Sequence, residues 1–204
     1  TALKFAERLA EREAGTTVSL LLLAARSVKA GQFEDAQKSL QDLPKQGLAK
    51  YSRPIAAAWI RAGLEEYTAA VKSLEPLSKE SGFGSLTDLH LALLNELAGK
   101  PDDAMAVYTK ATEDMDKAPL RIVRAMGAFL ERRGEIDRAR QLYETYLKVH
   151  PTSYLMTSEK DRLEAGNAPA TIAADAAAGF AEGMFNLASA LPLKRAGAAA
   201  LLYV

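Results

Sequence analysis

The sequence predicts an all-α solenoid of repeated helix pairs, and the spacing of its alanines is the main reason. Five alanines recur every 34 residues, with a final step of 35: Ala2, Ala36, Ala70, Ala104 and Ala139. Large side chains lie four positions after four of them: Leu40, Leu74, Tyr108 and Tyr143. A period of about 34 residues indicates helix-turn-helix units that bury their apolar faces against their neighbours.

The composition fits a folded protein and excludes several classes of function. Apolar residues make up 49% of the chain and charged residues 25%, which is typical of globular domains. Lys+Arg and Asp+Glu both number 26, so the basic surplus of a general nucleic-acid binder is missing. The chain has no cysteine, which excludes disulfides and thiolate metal sites and suits the cytoplasm and the periplasm equally. Its longest apolar run, residues 198–204, is far shorter than the roughly twenty residues of a membrane-spanning helix.

Helical spacing, together with glycine and proline stops, predicts each element in order. The first half is expected to contain helices 2–13, 18–29, 33–43, 52–62 and 66–77. The second half is expected to contain helices 86–98, 102–113, 120–132 and 136–149. Gly31, Gly99 and Gly134 mark tight turns within units, and Pro151 closes the fourth unit because proline cannot continue a helix.

The pattern changes after Pro151. A short helix is predicted at 158–165, and an alanine-rich helix at 170–191. The second carries one apolar stripe: Ile172, Ala176, Phe180, Met184, Leu187 and Leu191. The last residues resemble the start of one more helix. Because the chain opens on Thr1 and ends within a helical pattern at Val204, we expect it to be a fragment.

The repeated pattern resembles the tetratricopeptide repeat, a two-helix unit of about 34 residues. The fourth unit matches best, with these residues at the family's apolar and small positions: Val123, Met126, Gly127, Leu130, Ala139, Tyr143, Tyr146 and Pro151. The resemblance implies a right-handed superhelix of helix-turn-helix repeats, and the alanine-rich, cysteine-free composition favours a bacterial source. We expect residues 1–16 to be the second helix of a truncated repeat, followed by four repeats at about 17–50, 51–84, 85–119 and 120–154. Residues 155–204 would then hold an inserted short helix, the alanine-rich helix and a partial fifth repeat.

In this family, ligands lie in a concave groove formed by the first helices. Carried over to this sequence, the resemblance implies the following groove residues: Leu21, Ala25, Ile55, Trp59, Leu89, Leu93, Glu96, Arg121, Arg124, Ala128, Glu131 and Arg132. The groove would be apolar at one end and charged at the other. It would suit a helix or an extended peptide of a protein partner. The leading hypothesis is therefore a non-catalytic scaffold that binds a protein segment.

Other interpretations of the same residues stay open. The groove could be filled by the chain's own helices or by a second copy, which would make the protein a structural or self-associating spacer. The array could also dock an enzyme domain outside the sequence. Trp59 suits either a binding hot spot or a packed core, and the three arginines could receive an anion or pair with Glu131 and Glu135. We find no catalytic constellation and predict neither an enzyme, a cofactor nor a metal site.

Overall fold

The computed structural model describes residues 17–190, and all regular structure in that range is α-helical. The first helices of four successive pairs are α1 (Thr17–Lys29), α3 (Ala49–Gly63), α6 (Gly84–Leu97) and α8 (Leu120–Arg132). Their partners are α2 (Phe33–Gln41), α4 (Tyr67–Lys72) with α5 (Glu75–Ser78), α7 (Pro101–Ala111) and α9 (Ile136–Val149). The chain continues with α10 (Tyr154–Glu164) and α11 (Ala176–Ala190). The predicted all-α helical-repeat architecture is confirmed.

The alanine spacing corresponds to fully buried positions of the second helices. Ala36, Ala70, Ala104 and Ala139 lie in the second helices and have no exposed surface. The larger side chains four positions later are also buried, and Tyr108 and Tyr143 are completely enclosed. Ala2 and the predicted helix 2–13 lie outside the described residues.

The first helices share one way of ending. After α1, the Gln32 amide donates to the carbonyl of Ser27, five residues earlier, and Gly31 between them has a left-handed φ of 73°. This is the helix-ending arrangement that favours glycine. The same bond follows α3, α6, α8 and α10, with these residues at the left-handed position: Glu65, Gly99, Gly134 and Gly166. Helix α10 therefore ends as a first helix does, and it packs against α9 and α8.

Three helices differ most from the prediction, and two of these differences have a local reason. The helix predicted at 66–77 is broken into α4 and α5, because Pro76 lacks the amide hydrogen that would bond to the carbonyl of Lys72. The alanine-rich helix begins at Ala176 rather than at residue 170. At this observed start, the Asp175 side chain accepts a hydrogen bond of 2.7 Å from the Ala178 amide. Helix α10 begins at Tyr154, four residues earlier than predicted.

Helix α11 does not continue the stack of pairs. It turns back and packs mainly against α3, with further contacts to α1 and α6. Gly179 faces Trp59 and Gly183 faces Ile55, so residue numbers rise along α11 as they fall along α3. Helix α11 thus lies antiparallel to the first helices, on the surface that the sequence predicts as the groove.

Candidate binding groove

The groove side of α11 is a single stripe of small and large apolar residues. Its buried members are spaced by three and four: Ala176, Gly179, Phe180, Gly183, Met184 and Leu187. This spacing puts them on one helical face. The predicted stripe is therefore the docking face, except that Ile172 lies in the connection before α11 and Leu191 lies outside the described residues.

Two glycines let α11 approach α3 closely. A Cβ atom added to Gly179 would lie 2.1 Å from Cε3 and Cζ3 of the Trp59 ring. One added to Gly183 would lie 2.2 Å from Cγ2 of Ile55, an atom held close to the backbone of α3. Neither position has room for a side chain unless the helices move apart. The contact therefore selects glycines four positions apart.

Trp59 and His90 form a buried polar pair beneath α11. The Trp59 indole Nε1 donates a hydrogen bond of 3.1 Å to His90 Nδ1, and both side chains have no exposed surface. The ring that accepts at Nδ1 carries its proton at Nε2 when neutral, and Nε2 has no hydrogen-bond partner. Burial lowers the pKa of His90 to about 4; the charge of Glu182 opposes this shift and that of Arg121 adds to it. His90 is therefore neutral near pH 7.

The charged end of the groove is crossed by ion pairs within the chain. Arg121 of α8 binds Glu182 of α11 through two hydrogen bonds, with Nε 2.6 Å from Oε1. Arg124 binds Glu159 of α10 in a similar way, with Nε 2.8 Å from Oε1. An open pocket of about 230 Å³ lies between these pairs, with Ala128 and Ile172 in its wall. Burial acts to raise the pKa of Glu159, but hydrogen bonds from Arg124 and Arg162 and their charges together outweigh it, so the pKa is lowered.

A second kind of polar contact links successive first helices. Tyr143 donates to Oε1 of Glu131 at 2.7 Å, and Arg162 of α10 donates to both oxygens of the same carboxylate, at 2.6 and 2.9 Å.

The same arrangement occurs one unit earlier, where Glu96 accepts from Tyr108 and from Arg132 of the next first helix. Burial raises the pKa of Glu96, while the bonds from Tyr108 and Arg132 limit the rise. These contacts tie α6 to α8 and α8 to α10.

The structure places all the predicted groove residues on first helices, but with less exposed surface than an open groove would have. Six apolar members and one glutamate are buried: Leu21, Ile55, Trp59, Leu89, Leu93, Ala128 and Glu131. Of the remaining members, Ala25, Glu96, Arg121 and Arg124 are partly buried, and Arg132 is exposed. Each of the three arginines pairs with a glutamate of this chain, but not with the predicted Glu131 and Glu135.

Sequence reasoning missed the residues that complete the site. Glu182 and Glu159 lie 61 and 35 positions from their arginines, a separation that no helical pattern signals. The separation between Trp59 and His90 is 31 residues. The Gly179 and Gly183 pair did carry a signal, because interior helix glycines cost stability and so often mark a close helix contact.

The described part of the chain offers little support for other kinds of site. Among residues 17–190, no cluster of three or more histidine, aspartate or glutamate side chains is placed to hold a metal ion. In the same range, no helix has the length and apolarity needed to cross a bilayer.

Comparison with known proteins adds one match. A family model described as Tetratricopeptide repeat matches residues 125–153, which cover most of α8, the following turn and α9. No curated protein and no solved structure matches the chain significantly.

Proposed function

We propose that this chain, a tetratricopeptide-repeat protein, is a non-catalytic interaction scaffold whose groove binds a helix. We further propose that α11 fills this groove in the same molecule. Tetratricopeptide repeats are generally protein–protein interaction modules, and the family typically acts as a scaffold. The observation that carries the proposal is the contact of Gly179 with the Trp59 ring. It favours a groove filled by the chain's own helix over an open one.

The chemistry of the groove supports a helix as its ligand. The apolar part accepts one face of α11 along its length, and Arg121 at the charged end holds the carboxylate of Glu182. An amphipathic helix in an apolar groove is a recurrent mode of protein recognition. Replacing Trp59 and Leu93 with glutamate would not test an open groove here, because both side chains are buried and a buried carboxylate would unfold their surroundings.

Trp59, the only tryptophan, reports directly on whether the groove is filled. We expect Gly179→Leu to displace α11, because the new side chain would overlap the Trp59 ring. Displacement would shift the Trp59 emission to longer wavelength and increase its quenching by acrylamide, with little loss of far-UV circular dichroism. Ala181→Leu is the matched control, since it adds a side chain of the same type to the exposed face of α11. Equal quenching of the two variants would refute the proposal.

A further inference from the structure

Helix α11 leaves part of the groove's binding capacity unused. The Nε2 donor of His90 is buried without a partner, and the Cε1 edge of its ring faces Gly183, with 3.5 Å from Cε1 to a Cβ built there. An unpaired buried donor weakens an interface. The pocket beside Arg121 and Glu182 is open, and another pocket of about 440 Å³ lies at the start of α11. A helix with other side chains could use these features.

Helix α11 is also a weak helix in isolation. Gly179 and Gly183 lie in its interior, where glycine lowers helix stability relative to alanine. The connection from α10 runs over residues 165–175, and none of these is fully buried. The pairs α1–α2, α3–α5, α6–α7 and α8–α9 contact their neighbours directly. We therefore expect them to stay folded when α11 leaves the groove.

We propose that the groove exchanges α11 for a helix of another protein that carries two glycines four positions apart and an acidic residue directly before the second. This inference rests on the proposed function, because it treats α11 as a stand-in for that partner. The two glycines take the places of Gly179 and Gly183 against Trp59 and Ile55. The acidic residue takes the place of Glu182 and binds Arg121.

A helix of another protein fits this exchange better than a second copy of the chain. The α11 of a second copy has the same glycines and leaves the same His90 donor unpaired, so it gains nothing over the α11 already in place. The connection 165–175 also holds the resident helix near the groove at a high effective concentration, on the order of millimolar for a short flexible linker. Only a helix with additional favourable contacts overcomes this advantage.

The test measures binding of a fluorescent peptide with the sequence of residues 174–190 to the full chain, by anisotropy. The peptide stands in for the partner helix. We expect the Gly179→Leu protein to bind it at least about tenfold more tightly than the unmodified protein, because only the fraction of molecules with an open groove is competent to bind. The Ala181→Leu protein should behave as the unmodified one does.

A charge reversal provides a second variant that introduces no steric clash. Arg121→Glu should weaken binding of the peptide with Glu182 and restore binding of a peptide that carries Glu182→Arg. Restoration by the reversed pair would support the predicted position of the acidic residue. Loss of binding without restoration would contradict it.

The outcomes separate this inference from the proposed function. Suppose that Gly179→Leu exposes Trp59, but the Gly179→Leu protein does not bind the native peptide and the Arg121→Glu protein does not bind the Glu182→Arg peptide. Exchange of α11 for another helix is then refuted, and closure of the groove by α11 stands. If Gly179→Leu leaves Trp59 protected, the proposed function itself fails. If the unmodified protein forms dimers that dissociate on Gly179→Leu, the occupant is a second copy, and the assignment to another protein is wrong.

Discussion

Replacing Arg162 with methionine should destabilise the protein far more than removal of a surface arginine. Arg162 contacts both oxygens of Glu131, donates from Nε to Glu159 at 3.0 Å, and donates to the Asn167 carbonyl at 2.6 Å. The Glu131 side chain is only 3% exposed, whereas that of Arg162 is 20% exposed. The substitution keeps most of the apolar stem and leaves a buried carboxylate with Tyr143 as its remaining donor.

The magnitude follows from the burial of Glu131. Removing one partner of a buried ion pair typically costs 3–5 kcal/mol, because the other charge is left without compensation. The bond from Tyr143 and the partial exposure of Arg162 place the expected loss near the low end, about 3 kcal/mol. For a chain of this size, such a loss lowers the melting temperature by roughly 6–12 °C. Part of the lost stability should be recovered in the double variant Arg162→Met with Glu131→Gln, because that variant no longer has the uncompensated charge of Glu131.

Urea unfolding followed by far-UV circular dichroism measures the loss, with Arg140→Met as the matched control. Arg140 pairs with Asp137 three residues earlier, and the two side chains are 40% and 97% exposed. Exposed pairs of this kind contribute at most about 1 kcal/mol. The reasoning is refuted if Arg162→Met costs no more than Arg140→Met.

Three further predictions concern the backbone turns, the pair contacts and pH. Gly127→Ala should lower the free energy of unfolding in urea by about 1–3 kcal/mol, because its Cβ would lie 2.1 Å from the Tyr143 ring. Gly84→Ala is the control and should leave that free energy almost unchanged, because a Cβ added there contacts no other atom. Equal losses of stability in the two variants would contradict the contact. Glu65→Gly should raise stability by up to about 1 kcal/mol, since Glu65 has a left-handed φ of 60°; a lower melting temperature would contradict this. Because burial lowers the pKa of His90 to about 4, the contribution of neutral His90 to the free energy of unfolding is fully present above pH 6.5. It falls as pH drops from 6.5 towards 4, by up to about 3 kcal/mol. Trp59 quenching followed against pH should show this loss, and His90→Gln should reduce it; an identical pH profile in that variant would assign the loss to other groups.

The repeat architecture could be predicted because its determinants are local and periodic. Ala36, Ala70, Ala104 and Ala139 recur at the interval of one helix pair, and each is fully buried. Gly31 and Gly99 likewise mark turns whose left-handed φ favours glycine. The break before Pro76 follows from its missing amide hydrogen, which the apolar period alone concealed.

The surface against which α11 packs could not be predicted in the same way. Its apolar stripe indicates a helix with one buried face, but periodicity does not say which surface covers that face. The ion pair between Arg121 and Glu182 spans 61 residues, and it forms only because the connection 165–175 returns the chain to the first helices. Tertiary structure of this kind brings together residues that no local pattern relates.

The location of α11 in solution is tested most directly by one spin-label measurement. Trp59 supplies the only indole N–H resonance, and the chain has no cysteine, so a single cysteine at Ala181 carries the label on the exposed face of α11. Because Trp59 contacts the opposite face of the same helix turn at Gly179, we predict strong paramagnetic broadening of its indole resonance. An indole resonance that keeps its full intensity would contradict closure of the groove by α11.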